Sequence, residues 1–505
     1  MKKQILASAI GMALAFGLST QTQAAVKITQ LDQYKEAINS CVDADTESCT
    51  EIAAYSSIAK RIYVTNAAEN GLRILSLSDE GKISEFGFID LSIYGGGPNS
   101  VAVFGEWVAV AVEAEDKQAN GLVVIFDLDG EEQEVIEAGA LPDMLTFTPD
   151  GNYLLVANEG EPSDDYSNDP EGSVSVITTG SWQVTTADFT GFNDQKLKDV
   201  RIFGPGSSVA QDLEPEYIAV DADSGTAWIS LQENNALAKL DIASATITDI
   251  YGLGFKKHKQ KMNAFDASNK DDGINIQPWP TKGMYQPDAI TTFQRGKNTF
   301  ILSANEGDAR DYEGYSEEVR VKDLTLDPEA FPNAAELQMD ENLGRLKTTT
   351  AHGDTDGDGD HDEIYSYGGR SFSVWNGNGK LVFDSASSFE LTIEAHGPEA
   401  EWVDSRSDDK GPEPESITTG KIGKHDYAFI ATERTNDLFI YRLDNPARPT
   451  GVGFYDFDWR AEGGEYTYVN DVGPEGLLFV DNKDWLIVTN EISNTVSVFK
   501  VEIED

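Results

Sequence analysis

Acidic residues recur at two positions of a pattern that repeats along this 505-residue sequence. The first set follows a proline and opens a short apolar segment: Asp143, Glu216, Asp288, Glu415 and Glu475. The second set closes the next apolar segment: Glu113, Glu159, Glu233, Glu306, Glu433 and Glu491. Carboxylates that meet must become protonated, accept hydrogen bonds or bind a cation. Two roles therefore stay open, capping of backbone N–H groups in each repeat and ligation of calcium, which accepts six to eight oxygens.

The repeated unit contains short apolar segments separated by turns. Seven copies begin at residues 50, 97, 141, 213, 285, 412 and 473. Three or four short strands per copy, repeated around an axis, are typical of a β-propeller. The sequence therefore predicts an all-β protein, a seven-bladed β-propeller that occupies residues 25–505. Residues 26–36 are expected beside residues 495–503, because such a ring closes to remove its sheet edges.

The direction of the strands predicts where the acids meet. In an antiparallel blade the first strand begins on the face where the second strand ends. Both acidic sets should therefore surround one mouth of the central channel. The third strand of blade five is predicted near 371–375, which makes residues 307–368 a long insertion that leaves from the same mouth. Loops on a rigid scaffold commonly carry function.

Four acids near this mouth are the predicted metal ligands: Glu306, Asp308, Glu415 and Glu475. In the catalytic hypothesis Glu415 and Arg310 act on the substrate, with Arg310 stabilising charge on a phosphate. Arg370, Arg406 and Lys410 are further cations near the mouth, and they could equally neutralise neighbouring acids. No zinc-binding histidine spacing, nucleophile elbow or phosphate-binding glycine loop is found in the sequence.

A second candidate calcium site lies inside the insertion. Its predicted ligands are Asp354, Asp356, Asp358 and Asp360. Aspartates at positions one, three and five with glycine at six resemble the start of an EF-hand loop. Position twelve is Tyr365, so the usual bidentate glutamate is missing. The alternative is a solvated acidic turn.

Charge and targeting signals limit the class of protein. The formal net charge is −50, which argues against nucleic acid as a partner because phosphate contacts need lysine and arginine. Residues 1–24 combine two lysines, an apolar stretch and small residues, which predicts a signal peptide and export. Cys41 and Cys49 are then expected to form a disulfide. No other apolar run is long enough to span a membrane.

Longer motifs resemble a known family. ANEGEPSDDY (157–166), SANEGDARDY (303–312), SRSDDKGPEPES (405–416) and GPEGL (473–477) are similar to segments of the choice-of-anchor I family of exported bacterial propellers, and YVTN (63–66) resembles the YVTN repeat. The resemblance implies a propeller, and some relatives carry the label alkaline phosphatase. No anchor or sorting segment is evident at the C-terminus, so a periplasmic or secreted protein is expected.

Two functions are compatible with these observations. The first is a calcium-dependent phosphoesterase that acts on a small anionic phosphoester at the acidic mouth, where metal ions would polarise a phosphoryl oxygen and activate water. The second is a non-catalytic, calcium-stabilised binding or cell-surface module.

Overall fold

The fold is that of a ring of β-sheets, seen in a computed structural model that describes residues 25–36, 50–396, 404–457 and 472–504. These residues form seven four-stranded antiparallel sheets and one five-stranded sheet. The first strand of each four-stranded sheet contacts the first strand of the next, and the seventh contacts the first again. The sheets therefore surround a channel as blades, and the predicted β-propeller is confirmed.

The strands of blades one to four lie close together in sequence. They are β2 (Ala53–Ser56), β3 (Arg61–Asn66), β4 (Gly71–Leu77) and β5 (Ile83–Asp90) of blade one; β6 (Gly97–Phe104), β7 (Trp107–Glu113), β8 (Asn120–Asp127) and β9 (Glu132–Ala140) of blade two; β10 (Pro142–Phe147), β11 (Tyr153–Asn158), β12 (Ser173–Thr178) and β13 (Gln183–Asp188) of blade three; and β14 (Ile218–Val220), β15 (Thr226–Leu231), β16 (Ala236–Asp241) and β17 (Thr246–Gly252) of blade four. The strand that precedes them in the chain, β1 (Ala25–Lys35), belongs to blade seven.

The remaining strands include those of the insertion. They are β18 (Phe255–Lys257) and β19 (Thr281–Met284); β20 (Ile290–Arg295) and β21 (Asn298–Asn305) of blade five; β22 (Glu318–Arg320), β23 (Lys347–Thr349) and β24 (Ile364–Ser366); β25 (Ser371–Asn376) and β26 (Leu381–Asp384) of blade five; β27 (Pro414–Ile422), β28 (His425–Thr432), β29 (Asp437–Arg442) and β30 (Thr450–Asp456) of blade six; and β31 (Pro474–Val480), β32 (Trp485–Asn490) and β33 (Thr495–Glu504) of blade seven. Helices are short: α1 (Val209–Asp212), α2 (Ala334–Leu337), α3 (Ser388–His396) and 3-10 turns at Ala67–Glu69, Thr190–Phe192, Lys261–Asn263 and Val321–Asp323.

The ring closes through its two terminal strands. β1 pairs antiparallel with β33, from Ala25 opposite Glu504 to Lys35 opposite Thr495. The N-terminal strand thus becomes the outermost strand of blade seven. This pairing confirms the predicted closure and stabilises the ring by joining distant parts of the chain.

Burial across the blades explains the apolar pattern. All six residues of β32 are buried, as are all but the first residue of β7 and of β11. These second strands are covered by neighbouring blades on both faces, so they read as continuous apolar runs. The outermost strand β13 is instead exposed at five of its six residues.

The insertion is a packed unit of its own. β21 pairs with β25, so residues 306–370 lie between the second and third strands of blade five. Within this segment β22, β23 and β24 join β18 and β19 in the five-stranded sheet, where β19 runs parallel to β24. The segment between blades four and five, which contains β18 and β19, therefore belongs to the same unit as the insertion. The sequence did not reveal this pairing, because the strands involved are short.

Candidate functional site

The acid of the proline step sits at an irregularity of the innermost strand. Proline lacks an N–H group for the ladder, and a bulge redirects the side chain that it contains. Strand pairing shifts register at this step in four blades: between Pro98 and Ser100, Pro142 and Leu145, Pro414 and Ile417, and Pro474 and Gly476. The bulges direct Asn99, Asp143, Glu415 and Glu475 towards the channel, where all four line one cavity.

A second repeated contact brings the other acidic set to the same end. In blades three, six and seven the backbone N–H of the acid donates to the carbonyl of the residue before the proline. The pairs are Glu159 with Leu141 (2.9 Å), Glu433 with Glu413 (2.9 Å) and Glu491 with Gly473 (2.8 Å). The three accepting residues have positive φ. The end of each second strand is therefore fixed beside the start of the first strand.

The first set, and all of the second set except Glu113, surround one strongly acidic cavity of about 550 Å³ at the mouth of the channel. Its acids are Glu51, Asp143, Glu159, Glu161, Glu216, Glu233, Asp288, Glu306, Asp308, Asp311, Glu415, Glu433, Glu475 and Glu491. Arg434 is the single basic side chain among the described lining residues. The mouth therefore attracts cations strongly and repels anions.

Three of these acids form a compact group between blades five and six. Oxygens of Asp288, Glu306 and Glu415 lie within 4.8 Å of one another. Glu415 Oε2 is buried and receives no hydrogen bond from a described residue. Glu306 Oε1 accepts from Lys410 Nζ, and its Oε2 accepts from Gln232 at 2.9 Å. A carboxylate oxygen without a donor among other carboxyls suits a hard cation that prefers oxygen ligands.

A neighbouring group already has its counter-charges. Glu306, Glu413 and Glu433 also approach within 4.8 Å. The Glu413 carboxylate lies 2.8 Å from Arg406 and 3.5 Å from Arg434, and Arg434 lies 2.7 Å from Glu433. This group is an ion-pair network, so the group that contains Asp288 and Glu415 is the better cation candidate.

The cavity raises the pKa of several of its acids, including Glu51 and Glu306. Burial, together with the nearby carboxyls of Asp143 and Glu491, raises the pKa of Glu51 to about 8. Burial also raises the pKa of Glu306 to about 8, an effect that Lys410 opposes. Without a bound cation, Glu51 and Glu306 are therefore mostly protonated at neutral pH. A divalent ion would have to displace those protons.

The remaining acids predicted at the mouth are less tightly grouped. Asp308 and Glu475 line the cavity, but neither belongs to the group of Asp288, Glu306 and Glu415. The Asp308 side chain is 53% exposed and lies 3.7 Å from Lys410 Nζ. Both therefore line the acidic mouth but lie outside that group.

Capping does not account for the proline-step acids. Within the described residues, no backbone N–H donates to the side chain of Asp143, Glu216, Asp288, Glu415 or Glu475, as the hydrogen bonds of these blades show. Hydrogen bonds that hold the strands of a blade together come instead from the asparagine that precedes the acid at the end of the second strand. Asn158 donates to Ser173 and Ser175 at 3.1 and 2.9 Å within its blade.

The structure places Arg310 away from the cavity. Its guanidinium is 1% exposed and is paired with Asp212 and with Glu214, the latter at 2.9 Å. It also donates to the Asp212 carbonyl at 2.7 Å. These contacts occupy the groups that were expected to bind phosphate, so Arg310 acts as an anchor that joins the insertion to blade four.

The other cations also neutralise neighbouring acids. Arg370 pairs with Glu390 at 3.0 Å and is buried, and Lys410 pairs with Glu306. Arg434, which the sequence reasoning missed, is the basic side chain that lines the cavity. Its position directly after Glu433, the acid of the second set, was the signal that could have revealed it.

The Asp-rich loop brings together a different set from the one predicted. Oxygens of Asp354, Asp356 and Asp362 lie within 4.8 Å, and Asp327, Asp360 and Asp362 form a second such group. Asp362 accepts the Thr355 N–H at 2.8 Å. Asp358 belongs to neither group. Asp362 is thus shared by both groups, and Asp327 arrives from a segment that the linear spacing did not include.

Two predictions fall outside the described residues. The signal peptide covers residues 1–24, and Cys41 and Cys49 lie between the described ranges 25–36 and 50–396. Export and the disulfide therefore stay predictions. No helix among the described residues has the length and apolar character needed to cross a membrane.

The blades and their acidic mouth define a β-propeller with a cation-attracting channel entrance. A family model for the Choice-of-anchor I domain matches residues 51–446, and the chain belongs to this family. The family points to an exported or cell-surface protein.

Two curated relatives share part of the chain. Gigasin-3a from Magallana gigas is 34% identical over 122 residues, which cover 22% of this chain and 43% of that protein. The Mesenchyme-specific cell surface glycoprotein of Strongylocentrotus purpuratus is 26% identical over 380 residues, which cover 64% of this chain and 46% of that protein. The chain spans less than half the length of either.

Solved structures with a similar shape share little sequence. Hydrazine synthase of Kuenenia stuttgartiensis aligns with a TM-score of 0.48 and 12% identity, over 92% of this chain and 98% of that chain. The β-propeller domain of Cps50 from Myceliophteria thermophila aligns with a TM-score of 0.43 and 8% identity, over 90% and 98%.

Proposed function

We propose that the protein is an exported, periplasmic or secreted, calcium-binding propeller that hydrolyses a small phosphoester at its acidic mouth. The observation that carries the cation site is the group of Asp288, Glu306 and Glu415 between two blades. Its ligands are oxygens alone, which favours calcium over softer metals. The Asp-rich loop, through Asp354, Asp356 and Asp362, is a second calcium site in this proposal.

The charge of the cavity makes the cation a condition for anion binding. Fourteen acids and one arginine line it. Two like charges 4 Å apart repel by about 4 kcal/mol at an effective dielectric constant of 20. A phosphoester would therefore enter only after cations had neutralised the mouth. Calcium held by Asp288, Glu306 and Glu415 would supply the Lewis acid that polarises a phosphoryl oxygen and activates water.

Side chains of the cavity supply the other requirements of hydrolysis. Arg434 is the lining cation that can contact a phosphate oxygen. Glu415, one of the proposed cation ligands, has a buried Oε2 without a hydrogen-bond donor among the described residues, and this oxygen can accept a proton from the attacking water. Arg434 thus takes the phosphate-binding role that the sequence analysis assigned to Arg310, and Glu415 keeps its catalytic role.

The alternative is a non-catalytic calcium-stabilised binding module. No histidine, cysteine or lysine is found among the described residues that line the cavity, so only carboxylates could act there as general bases near neutral pH. The name of one relative, a cell surface glycoprotein, fits this alternative.

Activity measurements with and without calcium separate the two functions. Purified protein would be assayed on p-nitrophenyl phosphate with calcium, with chelator, and as the Glu415→Gln variant. Hydrolysis that needs calcium and falls at least tenfold in the variant is expected. Glu134→Gln, an exposed change on outer strand β9, is the matched control. Calcium-dependent stability without hydrolysis would favour the binding module, and no response to calcium would contradict both.

A further inference from the structure

Blade four carries a second pair of cavity acids that forms no ion pair among the described residues. Glu216 opens the first strand and Glu233 follows the second, and both line the mouth. Glu233 is 7% exposed. In each residue Oε2 is buried and receives no hydrogen bond from a described donor. The two carboxyl groups lie close enough to share a proton.

The cations near this pair are occupied elsewhere. Arg310 Nε and Nη2 lie 3.2 and 2.9 Å from Glu214, so this guanidinium, whose charge also acts on Glu233, is paired directly with another acid. Arg201 donates to the backbone carbonyl of Glu233 at 2.6 Å, and it also pairs with Glu317. Arg201 thus positions the backbone of Glu233, and the carboxyl group of Glu233 interacts with that of Glu216. Within the described residues, neither member of the pair forms an ion pair with lysine or arginine.

Two buried carboxyl oxygens without donors, on neighbouring residues of one cavity, favour the uptake of a proton or a cation. Burying a charge without a partner is costly, and carboxylates that meet in proteins are held by a shared proton or by a metal. Glu159, from blade three, is a further carboxylate of the same wall. The surroundings offer oxygen ligands only, which is the ligand set of a hard divalent cation.

We infer that Glu216 and Glu233 form a divalent-cation site on blade four. This site is additional to the group of Asp288, Glu306 and Glu415 at the same mouth. This inference rests on the proposed calcium-binding function of the mouth and extends it to two ions. Gln232 connects the sites, because its side chain donates to Glu306 at 2.9 Å while the next residue is Glu233. A second cation at this mouth would neutralise more of the acids that line it and so favour the entry of a phosphoester.

The test counts calcium ions on the full chain. Bound calcium would be measured by equilibrium dialysis and titration calorimetry on wild type, Glu233→Gln, Glu415→Gln and the control Glu134→Gln. Glu233→Gln should bind one ion fewer than wild type, or bind it at least tenfold more weakly, and Glu415→Gln should lose a different ion. The double variant should lose both. Terbium luminescence sensitised by Tyr217, which lines the cavity beside Glu216, gives an independent signal that should fall in Glu233→Gln.

The outcomes distinguish this site from the proposed function. Unchanged stoichiometry and affinity in Glu233→Gln, with one ion lost in Glu415→Gln, would overturn the blade-four site and leave the first site in place. If neither variant lost an ion, the mouth would not be a calcium site and both proposals would fail. Circular dichroism in chelator checks folding. If Glu233→Gln does not fold, Glu216→Gln, which alters a less buried member of the pair, provides the same comparison.

Discussion

Replacing Arg310 by methionine tests the conclusion that this residue anchors the insertion. The change would leave the carboxylates of Asp212 and Glu214 buried without their cation, since these side chains are 0% and 1% exposed. Breaking a buried ion pair by removing one partner costs about 3–5 kcal/mol. We therefore expect Arg310→Met to lower the free energy of unfolding by about that amount at pH 7.

The pH dependence of this loss gives a second check. Without the guanidinium, the orphaned carboxyls can relieve the penalty by taking up protons. Protonating a carboxyl with an ordinary pKa near 4 costs about 4 kcal/mol at pH 7 and about 1.4 kcal/mol at pH 5. The destabilisation should therefore shrink towards pH 5. Adding Asp212→Asn and Glu214→Gln to Arg310→Met should recover most of the loss at pH 7.

Denaturant unfolding followed by tryptophan fluorescence and calorimetry would measure these differences. Lys60→Met is the control, because the Lys60–Asp79 pair is exposed to solvent and exposed ion pairs contribute little to stability. Unchanged stability of Arg310→Met at both pH values, combined with lost phosphoester hydrolysis, would refute the anchor role. It would indicate that the guanidinium contacts substrate.

Three further outcomes are expected. In chelator, the free energy of unfolding should fall as pH rises from about 4.5 through about 8, because the raised pKa of Glu51 in the folded state favours the protonated form. Glu51 alone accounts for up to about 1.4 kcal/mol per pH unit. Melting scans with and without calcium at pH 5, 7 and 9 check this, and stability that rises towards pH 9 in chelator would contradict it. Asp362→Asn should remove more of the calcium-dependent gain in melting temperature than Asp358→Asn, since Asp362 belongs to both loop groups; equal effects would argue against the grouping. A thiol assay on denatured, unreduced protein should find no free thiol from Cys41 and Cys49, whereas two thiols would exclude the disulfide.

The sequence by itself determined the ring and the direction of its strands. The second strands, such as β11 and β32, are continuous runs of apolar residues, because neighbouring blades cover both of their faces. This pattern predicts their burial from the sequence alone. Pro-acid and Asn-Glu steps recur in register with those strands. Alternating strand direction then requires both acidic sets to reach one mouth, and the cavity that contains Glu306 and Glu415 confirms that placement.

Only the tertiary structure decided which charges compensate one another. Ion pairs join residues far apart in sequence, so no local pattern could show that Arg310 pairs with Asp212 and Glu214 while Lys410 pairs with Glu306. The Asp-rich loop shows the same limit, since Asp327 joins it from another segment. Local spacing fixes the position of an acid along a strand, but the packing of distant segments fixes its counter-charge.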